Sequence, residues 1–227
     1  MTNDELKMTN DTTPSIPFRR FWLTLLFQTA LILAVHAQAI YTHIAGKIII
    51  LQTAPLEPYN LLRGYSQIMR YDISSQEQLR GLPGWNNLPK QQSDDNTAMF
   101  IKPGTHFYVI LAEPISLRLP GLPQPWEPIS ISLKRPANLN NNQVFLRGIA
   151  QRGLIEYGLE NYTMPEAERN QINDDLRAAR LANPEQTQQI PPIVMEVKVD
   201  AWGNAVPISL WVQTGEANQQ KIRQYRL

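Results

Sequence analysis

The chain has 227 residues, with 21 Lys and Arg against 20 Asp and Glu and a formal net charge of +1. That length accommodates one domain of ordinary size with an appendage and leaves little room for two enzyme domains. The absence of Cys excludes disulfides, thiolate metal sites, iron–sulfur clusters and a cysteine nucleophile. The near-zero charge argues against nucleic acid as the main partner, because phosphate neutralisation needs an excess of basic residues on one face.

A long apolar segment lies near the start of the chain. Residues 1–19 are polar, and we interpret them as a disordered cytoplasmic tail. Residues 21–46 contain no Asp, Glu, Lys or Arg, and a helix over 20–45 is long enough to cross the hydrocarbon core of a bilayer. Trp22 and Tyr41 stand near its two ends, where interfacial aromatic side chains are favoured. We therefore predict a single transmembrane anchor over residues 20–45.

Two interpretations of this segment compete. The pattern at residues 37–39, Ala-Gln-Ala, is typical of a cleavable signal peptide. The apolar character continues beyond it to Ile44, which favours a retained anchor. Arg19 and Arg20 precede the segment and predict, by the positive-inside rule, that the short tail stays in the cytoplasm. The rest of the chain would then lie outside the cytoplasm.

Beyond the anchor, residues 46–215 are dominated by short strand patterns. Apolar or alternating runs separated by Pro, Gly and Asn clusters predict strands at 47–52, 66–73, 105–112, 127–134, 144–151, 154–157, 194–199 and 206–212. Between the last two, residues 200–204 predict a hairpin turn in which Gly203 takes a positive φ. Residues 216–227 are interpreted as a polar C-terminal tail.

One helix is predicted within this strand-rich region. Thr163 and Glu166 match a capping box, and Ile172, Leu176 and Ala179 recur at helical spacing. The predicted fold is therefore mainly β: a single N-terminal transmembrane helix followed by a small antiparallel barrel or sandwich that carries one amphipathic helix.

Two separated segments carry a recognisable pattern. In the first, the matching residues are Pro55, Pro58, Arg63, Gly64 and Tyr71, and Gly46 precedes an apolar strand upstream. In the second, they are Tyr157, Gly158, Glu160, Tyr162, Pro165 and Glu166. Together the motifs resemble the GDYXXLXY family of membrane-anchored proteins, in a form similar to that of cyanobacteria.

The resemblance implies a location and a type of partner. It implies a bacterial inner membrane, plasma or thylakoid, crossed once, with the C-terminal domain in the periplasm or lumen. Relatives are often encoded beside or fused to multi-pass membrane proteins, which implies such a protein as the partner. The resemblance implies no enzymatic activity. Tyr65 and Ser66 replace the Asp and Tyr of the family motif, so no role of that Asp is carried over.

We interpret the matching residues as structural. On this interpretation Gly64 supplies a backbone angle or close approach, Arg63 bridges to a carboxylate near Glu160, and Tyr71 packs inward. Our leading expectation is a non-enzymatic accessory or scaffold protein, with no cofactor, whose β domain acts beside a multi-pass membrane partner.

Three kinds of chemistry compete with that expectation. Ser66 and Lys134 fit a membrane-anchored hydrolase similar to signal peptidase, in which a neutral Lys activates a Ser. Glu156 and Glu160 are a possible acid and base, although Glu160 also suits an ion pair with Arg63 or Arg152, or the capping of a turn. The three His, at positions 36, 43 and 106, lack the spacing of a metal site, and none is predicted.

Polar residues in the anchor predict how it meets a partner. Trp22, Thr29, His36 and His43 repeat at seven-residue intervals and share one slowly drifting stripe of the helix. Polar groups inside a membrane usually face protein or water. We therefore expect Thr29, His36 and His43 to pack against the partner, with the alternative that His43 only reaches the interface.

Overall fold

A computed structural model of the chain describes residues 18–53, 66–92, 99–115, 121–163, 167–181, 193–215 and 221–227. Its contacts divide the chain into two compact units, Met1–Gln38 and Ala39–Leu227. The second, called the β unit below, contains all of the described strands and also the last residues of the first helix. The β unit therefore begins inside that helix rather than after it.

The described helices and strands follow the chain in a mainly β order. The helices are α1 (Phe18–Ala45), α2 (Gln76–Leu79) and α3 (Arg169–Leu181). The strands are β1 (Lys47–Gln52), β2 (Ser66–Ile68), β3 (Lys90–Gln92), β4 (Met99–Ile101), β5 (His106–Ala112), β6 (Glu127–Ser132), β7 (Gln143–Ala150), β8 (Ile155–Glu156), β9 (Asn161–Thr163), β10 (Ile193–Val199), β11 (Ala205–Thr214) and β12 (Lys221–Arg226).

One antiparallel sheet has the order β1-β10-β11-β12. Its inner strand β10 buries every position except Glu196 and Lys198, because neighbouring strands and the core cover it. Helix α3 packs against β11. Its residues Ile172, Leu176 and Ala179 are fully buried, so the predicted amphipathic helix is confirmed.

A second antiparallel sheet has the order β6-β5-β7-β8, and two short pairs, β2-β9 and β3-β4, complete the described ladders. Each four-stranded sheet keeps two edge strands, so within the described ranges no sheet closes on itself. The barrel alternative is therefore not what these strands form. Both sheets nevertheless contribute to a single apolar core, which includes Ile49, Met195 and Leu210 from the first sheet and Phe107, Val109 and Leu146 from the second.

Helix α1 contains 25 residues, Phe21–Ala45, that are long and apolar enough to cross a membrane. As far as Gln38, every side chain that the structure describes on it is exposed. These exposed side chains include Leu23, Leu26, Phe27, Ile32 and Leu33. So large an apolar surface is unfavourable in water and suits hydrocarbon.

The predicted strand at 66–73 is shorter than expected. Pairing ends at Ile68, and residues Asp72–Ser74 form a 3-10 turn. The predicted alternation still holds where the chain bends, because Met69 and Tyr71 are both fully buried. The Met69 amide still donates to the carbonyl of Glu160, next to β9, and the Tyr71 hydroxyl donates to the carbonyl of Leu159.

Two boundaries also differ from the sequence prediction. Thr163 lies at the end of β9 and α3 begins at Arg169, so Thr163 is not the N-cap that the capping box predicts. The predicted polar tail contains the edge strand β12, which pairs with β11 and buries Tyr225. Three of its six residues, Lys221, Arg223 and Arg226, are basic, and they masked its strand character in the sequence.

Candidate functional site

The motif residues that the structure describes lie in one part of the β unit. Tyr71, Tyr157 and Glu160 are described with their side chains, and Gly158 is described as well. Tyr162 is described by its backbone in β9. The other motif residues, Pro55, Pro58, Arg63, Gly64, Pro165 and Glu166, lie outside the described residues, and so does the expected ion pair of Arg63.

Two buried tyrosines join the segments of the two motifs. The Tyr71 hydroxyl donates to the carbonyl of Leu159 at 3.1 Å, and the Tyr157 hydroxyl donates to the carbonyl of Ile73 at 2.7 Å. Each tyrosine thus belongs to one segment and bonds to the backbone of the other. We call Tyr71 and Tyr157 the tyrosine pair.

Backbone bonds extend the same association. Strand β2 pairs with β9, and the amide of Met69 donates to the carbonyl of Glu160 at 2.7 Å. The side-chain Oε1 of Glu160 accepts from the amide of Tyr157 at 2.6 Å, so Glu160 caps its own turn. The second motif therefore forms a tight turn that is held against strand β2, within the first motif.

The environment of Tyr157 keeps its hydroxyl protonated. Burial raises the pKa of Tyr157 well above its ordinary value of 10.0, and the nearby negative charge of Glu160 raises it further. A protonated phenol is a hydrogen-bond donor, as the bond to Ile73 requires. Tyr157 is consequently suited to hold structure and not to act as a base near neutral pH.

A cavity of about 460 Å³ opens beside the second motif. Its lining residues are Arg147, Ile149, Glu156, Tyr157, Gly158, Glu160, Asn161 and Asn204. We call this space the motif cavity. With one guanidinium, two carboxylates and two amides in its walls, it suits a polar segment rich in donors and acceptors, such as a peptide loop.

The structure brings Glu156 and Glu160 to the same cavity, which sequence spacing alone could not establish. Both already accept hydrogen bonds: Glu156 from the Gln151 amide at 3.1 Å, and Glu160 from the backbone of Tyr157. Glu160 thus caps a turn, as one of its sequence interpretations expected. Arg147 also lines the cavity, and its Nη2 lies 3.4 Å from the Nδ1 of His106.

The end of α1 is attached to the hairpin between β10 and β11. Thr42 is 1% exposed, and its hydroxyl donates to the Oδ2 of Asp200 at 2.9 Å. The Nζ of Lys198 donates to the carbonyl of His43. Only Gly46 separates the last residue of α1 from β1. We call these contacts the helix–hairpin junction.

Asp200 organises the hairpin as well as the junction. Its Oδ1 accepts from the amides of Trp202 at 2.8 Å and Asn204 at 2.9 Å. Burial raises the pKa of Asp200, but hydrogen bonds from Asn204, Thr42 and the backbone outweigh it and hold the pKa below the ordinary 3.8. The stabilisation is therefore complete above about pH 4 and lost as the pH falls through the lowered pKa.

The predicted hairpin turn at residues 200–204 is confirmed. Gly203 has a φ of 84°, and its carbonyl accepts from the amide of Arg147 in β7 at 2.9 Å. A Cβ at this position would lie 2.8 Å from the ring of Phe145. Asn204 also lines the motif cavity, so Asn204 and Asp200 connect that cavity to Thr42 at the helix end.

Replacing Gly46 should loosen the junction. An added Cβ would lie 2.4 Å from the carbonyl of Thr42, while nothing lies within 4 Å of the corresponding position at Gly81. We expect Gly46→Ala to lower the free energy of unfolding by about 1–3 kcal/mol and Gly81→Ala to change it by less than about 0.5 kcal/mol. Thermal melting of the two full-length variants measures the difference, and equal melting temperatures would contradict the close approach at Gly46.

The hydrolase pair and the metal alternative gain no support among the described residues. Ser66 lies in β2, which pairs with β9, whereas Lys134 follows β6 in a different sheet. The side chain of Ser66 lies outside those described. Within the described ranges, no three His, Asp or Glu side chains gather closely enough to hold a metal ion.

The predicted stripe of α1 is only partly described. The Thr29 hydroxyl donates to the carbonyl of Leu25 at 2.9 Å, so the helix itself satisfies this group. The side chain of His36 lies outside those described. His43 is exposed in the last turn of α1, inside the β unit.

Sequence reasoning missed a further polar cluster between α3 and β12. Asp175, 9% exposed, accepts from Nη1 of Arg223 at 2.7 Å and from the hydroxyl of Tyr225. A hydrogen bond with Asp175 is the main cause that raises the pKa of Arg223, and burial followed by the bond to Asp175 raises the pKa of Tyr225. The only sequence signal was an Asp beside the apolar stripe of the helix.

Asp72, in the 3-10 turn after β2, makes the stability of the β unit depend on pH. Burial raises its pKa from 3.8 to about 6. The folded protein therefore holds the proton more tightly than the unfolded chain, and stability is lost as the pH rises from about 4 through about 6. A pKa shift of this size corresponds to a change of about 3 kcal/mol in the free energy of unfolding. Because the carboxyl is partly exposed, solvent screening reduces this change to about 1–2 kcal/mol.

Asp72→Asn should therefore raise the melting temperature at pH 7.5 and leave it nearly unchanged at pH 4. The exposed Asp174→Asn variant serves as the control and should show no such pH-dependent gain. Comparing each variant with the wild type at the same pH cancels the titration of all other groups. A gain from Asp72→Asn that is equal at both pH values would contradict the effect of burial.

Comparison with known proteins identifies one relationship. A family model described as GDYXXLXY protein matches residues 28–210. No curated protein matches the chain, and no solved structure matches it. The matched region contains both motifs and extends from within α1 to Leu210 in β11, so it includes the tyrosine pair, the motif cavity and the helix–hairpin junction.

Proposed function

The chain belongs to the GDYXXLXY protein family, and from that premise we propose that it is a non-enzymatic, membrane-anchored accessory protein. On this proposal α1 is a retained single-pass anchor, and the β unit acts beside a multi-pass membrane partner. The membrane is a bacterial inner membrane, plasma or thylakoid, with the β unit in the periplasm or lumen. The basic pair Arg19 and Arg20 supports this orientation.

One observation carries the proposal. The apolar helix passes into β1 through Gly46 alone, and Thr42 in its last turn is buried against Asp200. An anchor that serves only to tether a domain needs no such attachment and commonly continues into a flexible linker. A helix end built into the fold instead leaves no flexible linker between the last turn of α1 and β1, which suits an accessory subunit that acts close to the membrane.

The motif cavity supplies a place for the partner. Asn204 lines it and bonds to Asp200, which accepts from Thr42, so the cavity lies near the helix end. A polar loop of a membrane protein that emerges from the bilayer would reach a cavity in that place. The single core shared by the two sheets supports a sandwich as the framework that carries the cavity.

The anchor offers a second contact with the partner. We retain the expectation that His36 and His43 face protein, whereas the hydroxyl of Thr29 is already bonded within the helix. Replacing both His36 and His43 with Leu should release the partner in mild detergent while the β unit stays folded. Co-purification that is unchanged by the double replacement would leave the motif cavity as the contact.

The direct test is a charge reversal in the cavity. Arg147 is exposed and lines it, whereas Arg177 is exposed on α3 and does not. Full-length wild type, Arg147→Glu and Arg177→Glu are purified from native membranes in mild detergent, and mass spectrometry identifies the bound proteins. We expect a multi-pass protein with the wild type and Arg177→Glu, and about tenfold less of it with Arg147→Glu.

Two results would contradict the proposal. The first is equal recovery of the same proteins with all three chains. The second is a hydrolytic activity of the purified protein that Ser66→Ala abolishes without changing its melting temperature. That result would favour the signal-peptidase-like alternative with Ser66 and Lys134.

A further inference from the structure

A group of exposed apolar side chains surrounds the helix–hairpin junction. The rings of Tyr41 and Trp202 lie 5.3 Å apart, centroid to centroid, and the two side chains are 46% and 49% exposed. Nearby on α1 and β1, Ile44 is 75% exposed and Ile48 is 50% exposed. We call these four residues the rim patch. Two paired aromatic rings left half in solvent need an explanation, because packing against the core would bury them.

Basic side chains lie around the rim patch. Lys198 is opposite Ile48 in the strand register and donates to the carbonyl of His43. Arg135 donates to the carbonyl of Ala201, the neighbour of Trp202, at 2.7 Å. Among the described residues none of these cations forms a salt bridge with a carboxylate. Asp200, the acidic group of the hairpin, is occupied by Thr42 and the turn.

We propose that the rim patch lies in the headgroup layer of the membrane and binds anionic phospholipid headgroups. Tyr and Trp are the side chains that favour this layer, since an apolar ring and a polar tip suit its two faces. Lys and Arg beside them attract anionic lipids, each contributing about 1 kcal/mol near a charged surface. The patch also adjoins the point where the apolar helix ends.

This inference rests on the membrane anchor of the proposed function but not on its protein partner. The anchor would hold the end of α1 at the interface, and the rim patch would add a second, lateral attachment through the hairpin. The β unit is then held to the lipid surface on one side. A second copy of the chain covering the patch is the competing occupant, and the test separates the two.

The absence of Cys makes a site-specific probe straightforward. Ala201 is exposed in the hairpin turn beside Trp202, so Ala201→Cys places a fluorophore at the patch without altering it. Lys221→Cys serves as the control, because Lys221 is exposed and pairs with Thr214 at the far end of β11. Nine residue steps along β11 lead from Ala205 to Thr214, which corresponds to about 30 Å.

The labelled full-length variants are reconstituted into vesicles of phosphatidylcholine alone or with phosphatidylglycerol. We expect headgroup-attached quenchers to quench the label at 201 about twofold or more above the label at 221, and more strongly with phosphatidylglycerol. Aqueous iodide should show the reverse order. Trp202→Ala in the Ala201→Cys background should weaken the lipid quenching, with the melting temperature measured alongside.

Three results would overturn the proposal. Equal lipid quenching at the two positions would place the patch away from the membrane. Protection of the label at 201 from both quenchers would show that a second copy covers it. Quenching that does not depend on phosphatidylglycerol would show that the patch does not select anionic headgroups. In none of these cases would co-purification of a partner protein be affected, so the proposed function is tested separately.

Discussion

Replacing both members of the tyrosine pair, as Tyr71→Phe with Tyr157→Phe, should lower the free energy of unfolding by about 2–4 kcal/mol. Each substitution removes a buried hydroxyl donor, and the carbonyls of Leu159 and Ile73 lose these bonds. Each single variant should account for about half of the loss. Thermal or denaturant melting of the full-length protein in detergent measures the effect.

Tyr108→Phe is the matched control. Tyr108 packs edge-to-face against Phe145 with ring centroids 5.4 Å apart, and its side chain is only partly buried. Its loss of a hydroxyl should change stability by less than about 0.5 kcal/mol. A double variant of the tyrosine pair that melts like the wild type but no longer binds a partner would show that the motif tyrosines act in binding, and would contradict their structural role.

Asp175→Ala should lower the free energy of unfolding by roughly 2–3 kcal/mol, because it removes the acceptor that holds α3 to β12. The buried Tyr225 hydroxyl would lose its carboxylate partner, and Arg223 would lose the oxygens that its guanidinium contacts. The expected consequence is early loosening of β12 from β11. Hydrogen exchange of the C-terminal peptide, together with melting, measures it.

The neighbouring carboxylate provides the control for that prediction. Asp174 is exposed on the same helix, so Asp174→Ala should change stability by less than about 0.5 kcal/mol. Tyr225→Phe should reproduce part of the Asp175→Ala effect, since it removes the hydroxyl and keeps the ring in the core. If Asp175→Ala and Asp174→Ala behaved alike, the cluster would contribute nothing measurable to stability.

Local patterns were sufficient to predict much of the fold. The apolar run of β1 and the turn at residues 200–204 each depend on neighbours in sequence, and both are present. The strand β6 is present too, but only Ile131 of its isoleucines is buried. The helix α3 was predicted by its apolar spacing, although its start was placed too early. These features share one cause: the period of hydrophobic residues and the conformational freedom of Gly act over a few positions.

The features that were not predicted depend on residues that are far apart in the sequence. β12 is held by its pairing with β11. The 3-10 turn at Asp72–Ser74 follows Tyr71, whose hydroxyl donates to the carbonyl of Leu159. Asp175 and Arg223 are 48 positions apart, and Thr42 and Asp200 are 158 apart. No local pattern in one sequence specifies such pairs, because either residue alone is compatible with an exposed position.

The candidate site could likewise be predicted only in part, because it also depends on residues far apart in the sequence. The two motifs could be recognised as segments, and the expectation that Tyr71 packs inward agrees with its full burial. Their mutual hydrogen bonds could not be foreseen, nor could the cavity that brings Arg147 and Asn204 to Glu160. Those residues come from β7, the hairpin and the second motif, and only the packing of the two sheets places them together.

The proposed function depends most on the contact between Thr42 in the last turn of α1 and Asp200 in the hairpin. A double-mutant cycle of Thr42→Val and Asp200→Asn measures it directly, because the Thr42 hydroxyl donates to the Asp200 carboxylate at 2.9 Å in a buried position. Melting of the full-length wild type, the two single variants and the double variant gives the coupling energy. We predict a coupling of about 1–2 kcal/mol, as for a buried hydrogen bond to a charged group. Strictly additive effects of the two substitutions would show that the Thr42–Asp200 bond does not hold the helix end to the hairpin, and would contradict the proposal that this end is built into the fold.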